Sequence, residues 1–185
     1  MSAGPVRLAL HPHSLTPAVT ITGVEVEIER PAADRLTLYY WVLGDMDELR
    51  LSAPAAPLRT DGLWERTCFE LFLARPGSEA YREFNFSPST EWAAYDFGVY
   101  RDPEPRNAAL PEPPAVVLWV RRANRLALKV DLTLPLEDRQ GRVGFSAVLD
   151  ERSGARSYWA LAHPNPTKPD FHLDACFTAQ LPPAP

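Results

Sequence analysis

Residues 63–101 read LWERTCFELFLARPGSEAYREFNFSPSTEWAAYDFGVYR. Apolar and polar side chains alternate in three short aromatic runs of this stretch, and tight-turn residues such as Pro76 and Gly77 separate the runs. Alternation with a period of two is typical of a half-buried strand, because successive side chains point to opposite faces of a sheet. The stretch therefore predicts three antiparallel strands that neighbour one another.

The same pattern continues along the chain. Val24, Val26 and Ile28 alternate with glutamates, which predicts a strand with an acidic solvent face. Further strand-like runs are rich in β-branched and aromatic residues and cover 36–43, 67–74, 81–87, 91–97, 116–122, 126–132, 143–151, 158–162 and 175–181. The pairs Pro76-Gly77, Ala123-Asn124 and Ser153-Gly154 each lie between two runs, where hairpin turns are expected. No convincing helix remains.

We therefore expect an all-β fold, a single-domain antiparallel β-sandwich that is jelly-roll-like. The domain is expected to span residues 1–185, with its core at about 5–181 and a Pro-rich tail at 182–185. Eleven of the 20 prolines lie in this tail and in the segments 102–114 and 163–169, outside the predicted strands. Segment 102–114 is expected to be irregular, and to cross between sheets or cover a sheet edge.

The amino-acid composition limits the classes of partner that we expect for this chain. The net charge is −5 and the 19 Lys and Arg residues are scattered, so nothing supplies a basic patch for nucleic acid. No run approaches the roughly 20 apolar residues that span a bilayer, and no basic segment precedes an apolar stretch at the N-terminus. We expect a cytoplasmic protein without a membrane partner. Cys68 and Cys176 are expected to be buried free thiols.

Several blocks of the sequence resemble a known family. They are LWERTCFELF at 63–72, YREFNFSPSTEWAAY at 81–95, VGFS at 143–146, YWALAHP at 158–164 and KPDFH at 168–172. These blocks resemble the DOMON-like domains, relatives of the family-nine carbohydrate-binding modules, and the likeness covers roughly residues 5–181. Members of that superfamily are β-sandwiches that bind sugars or haem. The resemblance thus implies the fold closely and the ligand only loosely.

Strand parity sorts the polar side chains. If Phe84 and Phe86 face the core, Glu83 and Asn85 share the opposite face. Glu70 lies between apolar neighbours on the adjacent run, so its carboxyl group is expected on that same face. Arg101 is the expected cation that holds these acids ionised. The alternative is a buried Glu–Arg pair that only braces the sheet.

Sugar recognition requires flat aromatic faces for the C–H side of a pyranose and polar groups for its hydroxyls. Trp64 and Trp92 are the candidate stacking residues, since each lies beside a polar loop, whereas Trp41, Trp119 and Trp159 are expected in or near the core. The loop from His163 to His172 is expected to close one side of the site. Its further ligand-binding candidates are Lys168 and Asp170.

We therefore expect a non-catalytic binding module for a carbohydrate or similar small polar ligand. One alternative is a hydrolase that uses the paired carboxylates Glu70 and Glu83, although the glycosidase and serine-hydrolase motifs are missing. A second is a haem-binding electron-transfer domain, for which Met46 is the only internal methionine and lies in an acidic turn. A structural or interaction module comes third. We expect no cofactor and no metal site, although the turn with Asp45 and Asp47 leaves calcium open.

Overall fold

The computed structural model describes residues 4–185, and its regular structure there consists of strands and three short 3₁₀ turns. The expected domain of residues 1–185 stays a prediction, and its first three residues lie outside this range. The strands, in chain order, are β1 Val6–Pro12, β2 Ile21–Ala32, β3 Arg35–Gly44, β4 Cys68–Ala74, β5 Tyr81–Phe86, β6 Trp92–Phe97, β7 Arg106–Asn107, β8 Ala115–Arg122, β9 Arg125–Thr133, β10 Arg142–Asp150, β11 Arg156–Ala160 and β12 Ala179–Gln180.

The strands pair antiparallel in one curled path that forms two packed layers. Sheet I contains β1, β2, β3, β9 and β8, and sheet II contains β11, β10, β4, β5, β6 and β7, with β12 beside β10. Strand β1 belongs to both layers, because residues 6–10 pair with β2 and residues 11–12 pair with β11. The all-β sandwich is thus confirmed, whereas jelly-roll connectivity stays a prediction.

The three predicted hairpins join β4 to β5, β8 to β9 and β10 to β11. Gly77 and Gly154 adopt φ values of 69° and 92° in their turns, a backbone region that glycine enters without a steric penalty. Segment 102–114 is irregular except for β7, a two-residue strand at the edge of sheet II. The prediction for that segment is therefore confirmed.

The main core lies between the two sheets. The Tyr40 ring of sheet I contacts three rings of sheet II, with centroid distances of 5.1 Å to Phe69, 6.2 Å to Phe145 and 6.4 Å to Phe86. Its hydroxyl donates a hydrogen bond of 2.8 Å to the backbone carbonyl of Glu70, which satisfies a polar atom that would otherwise be costly to bury. This packing fixes the inner faces of β4 and β5.

A second apolar cluster covers part of the outer face of sheet II. It joins side chains of β4, β5 and β6 to Phe171, Cys176 and Phe177 of the segment 163–178, which we call the covering loop. The expected strand at 175–181 is wrong over most of its length. A 3₁₀ turn, Asp174–Cys176, replaces its start because the side chains there pack onto the face of sheet II.

Candidate functional site

A cavity of about 420 Å³ opens on the outer face of sheet II, beside the covering loop. Its size falls within the usual range for small-molecule sites. The lining residues come from sheet II, from the 3₁₀ turn Leu63–Glu65, from the loop after β6 and from the covering loop: Trp64, Glu65, Glu70, Glu83, Tyr95, Phe97, Arg101, Asp102, Pro105, Val148, Arg156, Tyr158, Pro169, Phe171 and His172. Five of these are residues that the sequence placed in the candidate site.

Two glutamates line the cavity from neighbouring strands. Glu70 on β4 pairs in register with Asn85 on β5, and Phe72 pairs with Glu83, so the two acids are diagonal neighbours on one face. Their exposed fractions are 3% and 5%. Both carboxyl groups are therefore almost withdrawn from water, although both reach the cavity.

A residue of the adjacent strand β10 positions the carboxyl group of Glu70. Its Oε2 atom accepts a hydrogen bond of 2.6 Å from the Ser146 hydroxyl of β10. Burial and, second, the charge of Glu83 raise the pKa of Glu70 to about 8. Residues 70 and 146 meet only through β4–β10 pairing, which no local sequence signal indicates.

A residue of the same strand, β5, positions the carboxyl group of Glu83. Its Oε1 atom accepts a hydrogen bond of 2.7 Å from the side-chain amide of Asn85. The oxygen of that amide accepts a weak hydrogen bond of 3.5 Å from the Cys68 thiol. Burial raises the pKa of Glu83 to about 7, while the Asn85 hydrogen bond and the Arg101 charge oppose the rise. The pair therefore retains protons near neutral pH.

His172 lies above this pair as a neutral imidazole. The Tyr81 hydroxyl lies 2.8 Å from its Nδ1 atom and accepts a hydrogen bond of 3.3 Å from the Arg101 backbone N–H. With the Tyr81 hydroxyl as donor to Nδ1, the neutral ring would carry its proton on Nε2, and this nitrogen lies 3.7 Å from Glu83 Oε2. Burial and, second, the charge of Arg101 lower the pKa of His172 to about 4. His172 thus supplies no positive charge to the acids.

Arg101 lies at the mouth of the cavity, but its partner differs from the expected one. Its guanidinium donates to Asp170 Oδ1 over 2.9 Å, and Asp170 also accepts a hydrogen bond of 2.6 Å from the Tyr100 hydroxyl. Arg101 was expected to pair with Glu70 and Glu83, but its ion pair is with buried Asp170. Its charge still lowers the pKa of Glu83, although burial outweighs this effect. Arg101 has a φ of 48°, a strained value that directs its N–H to Tyr81.

Aromatic rings form the walls of the cavity. Trp64 is 43% exposed, and its ring meets the Tyr95 ring edge to face at 5.9 Å. The Tyr95 hydroxyl donates a hydrogen bond of 2.5 Å to Asp61. The sequence reasoning missed Tyr95, Phe97, Tyr158 and Phe171; Tyr95 pairs in register with Glu83 and could have been found by parity.

The remaining candidates lie elsewhere. Trp92 is opposite Phe86 in the β5–β6 register and therefore points inward, where it packs against the main core. Asn85 is fully buried and supports Glu83 from below. The His163 Nε2 atom donates a hydrogen bond of 2.8 Å to the His11 backbone carbonyl, and Lys168 is exposed; neither residue lines the cavity. The placement of Trp92 at the site was thus wrong.

Two further tryptophans also differ from expectation. Trp119 on β8 is 58% exposed, and Trp41 on β3 lies on the outer face of sheet I, half-buried beside Arg7. Both positions alternate out of the core, because Tyr40 and Leu118 point inward. Only Trp159 of the three belongs to the core.

The described part of the chain also bears on the expectations for a metal site, a membrane segment and the thiols. Among residues 4–185, no cluster of three or more His, Cys, Asp or Glu side chains has a metal-binding arrangement. No helix in this part of the chain is long and apolar enough to cross a membrane.

Cys68 and Cys176 are free and buried, as predicted. Met46 is buried in the main core, not exposed in a hydrophilic turn.

Comparison with known proteins supports the fold. No protein-family model matches the sequence, and no curated protein matches it significantly. Among solved structures, the chain is similar to a putative carbohydrate-binding protein from Bacteroides uniformis, with a TM-score of 0.66 and 14% identity. The match covers 95% of this chain and 85% of that one. The two proteins thus share a sandwich fold.

Proposed function

We propose that this protein is a binding module for a small polar ligand, a carbohydrate or similar molecule, that enters the cavity on sheet II. One observation carries the proposal: a cavity of about 420 Å³ combines aromatic walls with two buried carboxyl groups at its base. Aromatic faces stack on sugar C–H groups, and carboxyl groups form hydrogen bonds with hydroxyls. The carbohydrate-related fold neighbour adds support.

In this proposal Trp64 is the exposed stacking face, and Glu70 and Glu83 contact the ligand. His172 and Arg101 border the cavity as well, and Asp170 holds Arg101 in place. Asn85 acts indirectly because it orients the Glu83 carboxyl group. Of the other sequence candidates, Trp92, His163 and Lys168 have no part in the proposed site.

A sugar-array screen followed by calorimetry tests the proposal. We expect binding of at least one mono- or disaccharide without turnover, and Trp64→Ala should weaken it about five- to tenfold, the value of one aromatic contact. Trp119→Ala is the matched control, because it removes an exposed tryptophan from the outer face of sheet I. Equal effects of the two variants would exclude Trp64 from the site, and no sugar bound at all would exclude a carbohydrate as the ligand.

A hydrolase is the second candidate, and one observation favours it: two carboxyl groups with raised pKa values face the same cavity. In a retaining mechanism one acid would protonate the leaving group and the other would attack. Release of reducing sugar from an oligosaccharide, lost in Glu70→Gln, would establish this candidate. Binding without product release would reject it.

A further inference from the structure

We propose that the ligand of the sheet II cavity carries a primary ammonium group, which binds between Glu70 and Glu83. This inference rests on the proposed function and specifies its ligand class. The ammonium group would belong to an amino sugar or to another ring-sized amine with an apolar side.

The cavity offers its two buried acids no free counter-charge, which is the first argument. Both cations that line it already have carboxylate partners: Arg101 pairs with Asp170 over 2.9 Å, and Arg156 pairs with Asp150 over 2.5 Å. Neither Glu70 nor Glu83 has an Arg or Lys partner within residues 4–185. A bound cation would supply the counter-charge that allows these acids to ionise.

Hydrogen-bond capacity is the second argument. Glu70 uses only Oε2, with Ser146, and Glu83 uses only Oε1, with Asn85. Across the described chain, the second oxygen of each carboxyl group accepts no hydrogen bond, and Glu83 Oε2 lies 3.7 Å from His172 Nε2. Two acceptors therefore remain for a donor group, and a primary ammonium carries three N–H donors.

The cavity walls are the third argument. Trp64, Tyr95, Tyr158 and Phe171 surround the space above the acids. The negative face of an aromatic ring attracts a cation, most strongly where water is excluded. Aromatic walls and unpaired acids together fit an organic ammonium better than a neutral polyol of the same size.

Ammonium binding should couple to protons, because a cation favours the ionised acids. Other titratable or charged groups face the pair from the elements packed around it: Cys68, Tyr81, Tyr95, Glu65, Arg101, Asp102, Arg156, Tyr158, Asp170 and His172. Among them, Arg101 and Arg156 are already paired and His172 is neutral, so Glu70 and Glu83 should dominate between pH 6.5 and 8.5.

Calorimetry with matched probes tests the inference. D-glucosamine and D-galactosamine are compared with D-glucose and D-galactose, which lack the amine, and cyclohexylamine serves as an amine without hydroxyls. We expect at least one amino sugar to bind at least tenfold more tightly than its neutral partner. Cyclohexylamine stays charged throughout the range, so its affinity should rise from pH 6.5 to pH 8.5 with proton release to the buffer.

Single substitutions test whether binding depends on the buried pair, Glu70 and Glu83, or on any acidic side chain near the cavity. Glu70→Gln and, independently, Glu83→Gln should weaken amino-sugar binding about tenfold or more, the value of a charge-assisted hydrogen bond. Glu104→Gln is the control, because it removes an exposed acid from the loop at the cavity mouth. Thermal unfolding shows whether each variant is folded. If one of the two glutamine variants is unfolded, the other still tests the inference.

The outcomes distinguish the two proposals. Amine-bearing and neutral sugars that bind equally, or a cyclohexylamine affinity that stays flat or falls with pH, would overturn the ammonium inference and leave the carbohydrate proposal intact. Cyclohexylamine binding without any sugar would support the ammonium site and remove the carbohydrate proposal. Failure of every probe would reject both.

Discussion

The outer faces of the two sheets contain similar residues but differ in their surroundings. On sheet I, Trp119 is exposed, and Arg7 forms ion pairs with Glu25 and Glu27 in water. On sheet II, loops cover the aromatic rings, and the acids Glu70 and Glu83 are buried. In both sheets, alternating side chains create an inner and an outer face. Only the outer face of sheet II, which the covering loop partly covers, forms the cavity.

The largest expected contrast concerns packing under the covering loop. Phe72 is buried on the outer face of sheet II, and its ring stacks on Phe177 at 5.7 Å. Phe72→Ala should lower the free energy of unfolding by about 3–5 kcal/mol, because it leaves a cavity between sheet and loop. Urea unfolding measures the change. Trp119→Ala on sheet I should change it by less than about 1 kcal/mol, and similar losses would contradict the contrast.

The next effect concerns the attachment of the covering loop. Asp170→Asn removes the buried charge that receives hydrogen bonds from Arg101, Tyr100 and the His172 backbone, and should cost about 1–3 kcal/mol of unfolding free energy. Asp174→Asn is the control on the same loop, since Asp174 is exposed and pairs with Arg142 at the surface. Chemical denaturation compares them. If the two changes are equal, Asp170 does not anchor the loop.

An effect of comparable size is expected when the pH is changed. Because the folded-state pKa values of Glu70 and Glu83 are raised to about 8 and about 7, their contribution to stability is complete below pH 4.5 and is lost as pH rises toward 8. His172, with its pKa lowered to about 4, contributes the opposite slope only below pH 6.5. From pH 6.5 to pH 8 the free energy of unfolding should therefore fall by about 2 kcal/mol.

Thermal and urea unfolding across that pH window measure this slope. In the double variant Glu70→Gln with Glu83→Gln, both titrating groups are absent, so the slope should flatten. A double variant that keeps the wild-type slope would assign the effect to other groups.

The smallest effect is expected on sheet I. Arg7→Gln removes the ion pairs with Glu25 and Glu27 but should change unfolding free energy by only about 0–1 kcal/mol, because water screens exposed charges. Unfolding at 0.05 M and 0.5 M salt measures it, and the small difference should shrink at high salt. A loss as large as that of Asp170→Asn would show that burial does not separate the two faces.

The sequence by itself determined most of the strands, the three hairpins and the shared face of Glu70 and Glu83, but it missed β1 and β7 and placed a strand at 175–181 that is mostly absent. These features depend on neighbours within a few residues: alternation decides which side chains share a face, and turn residues decide where a strand reverses. The Pro-Gly turn at 76–77 joins β4 to β5, so local information alone placed both carboxyl groups on adjacent strands.

Tertiary structure decided how those residues are used. Trp92 points inward because the β5–β6 register sets it opposite Phe86, and Arg101 pairs with Asp170, 69 positions away in the sequence. Ser146 reaches Glu70 only through β10, and the covering loop encloses one outer face while the other stays open. Such contacts join distant segments, and their geometry depends on how the whole sandwich packs. The alternation of apolar and polar residues along one strand contains no information about these long-range contacts.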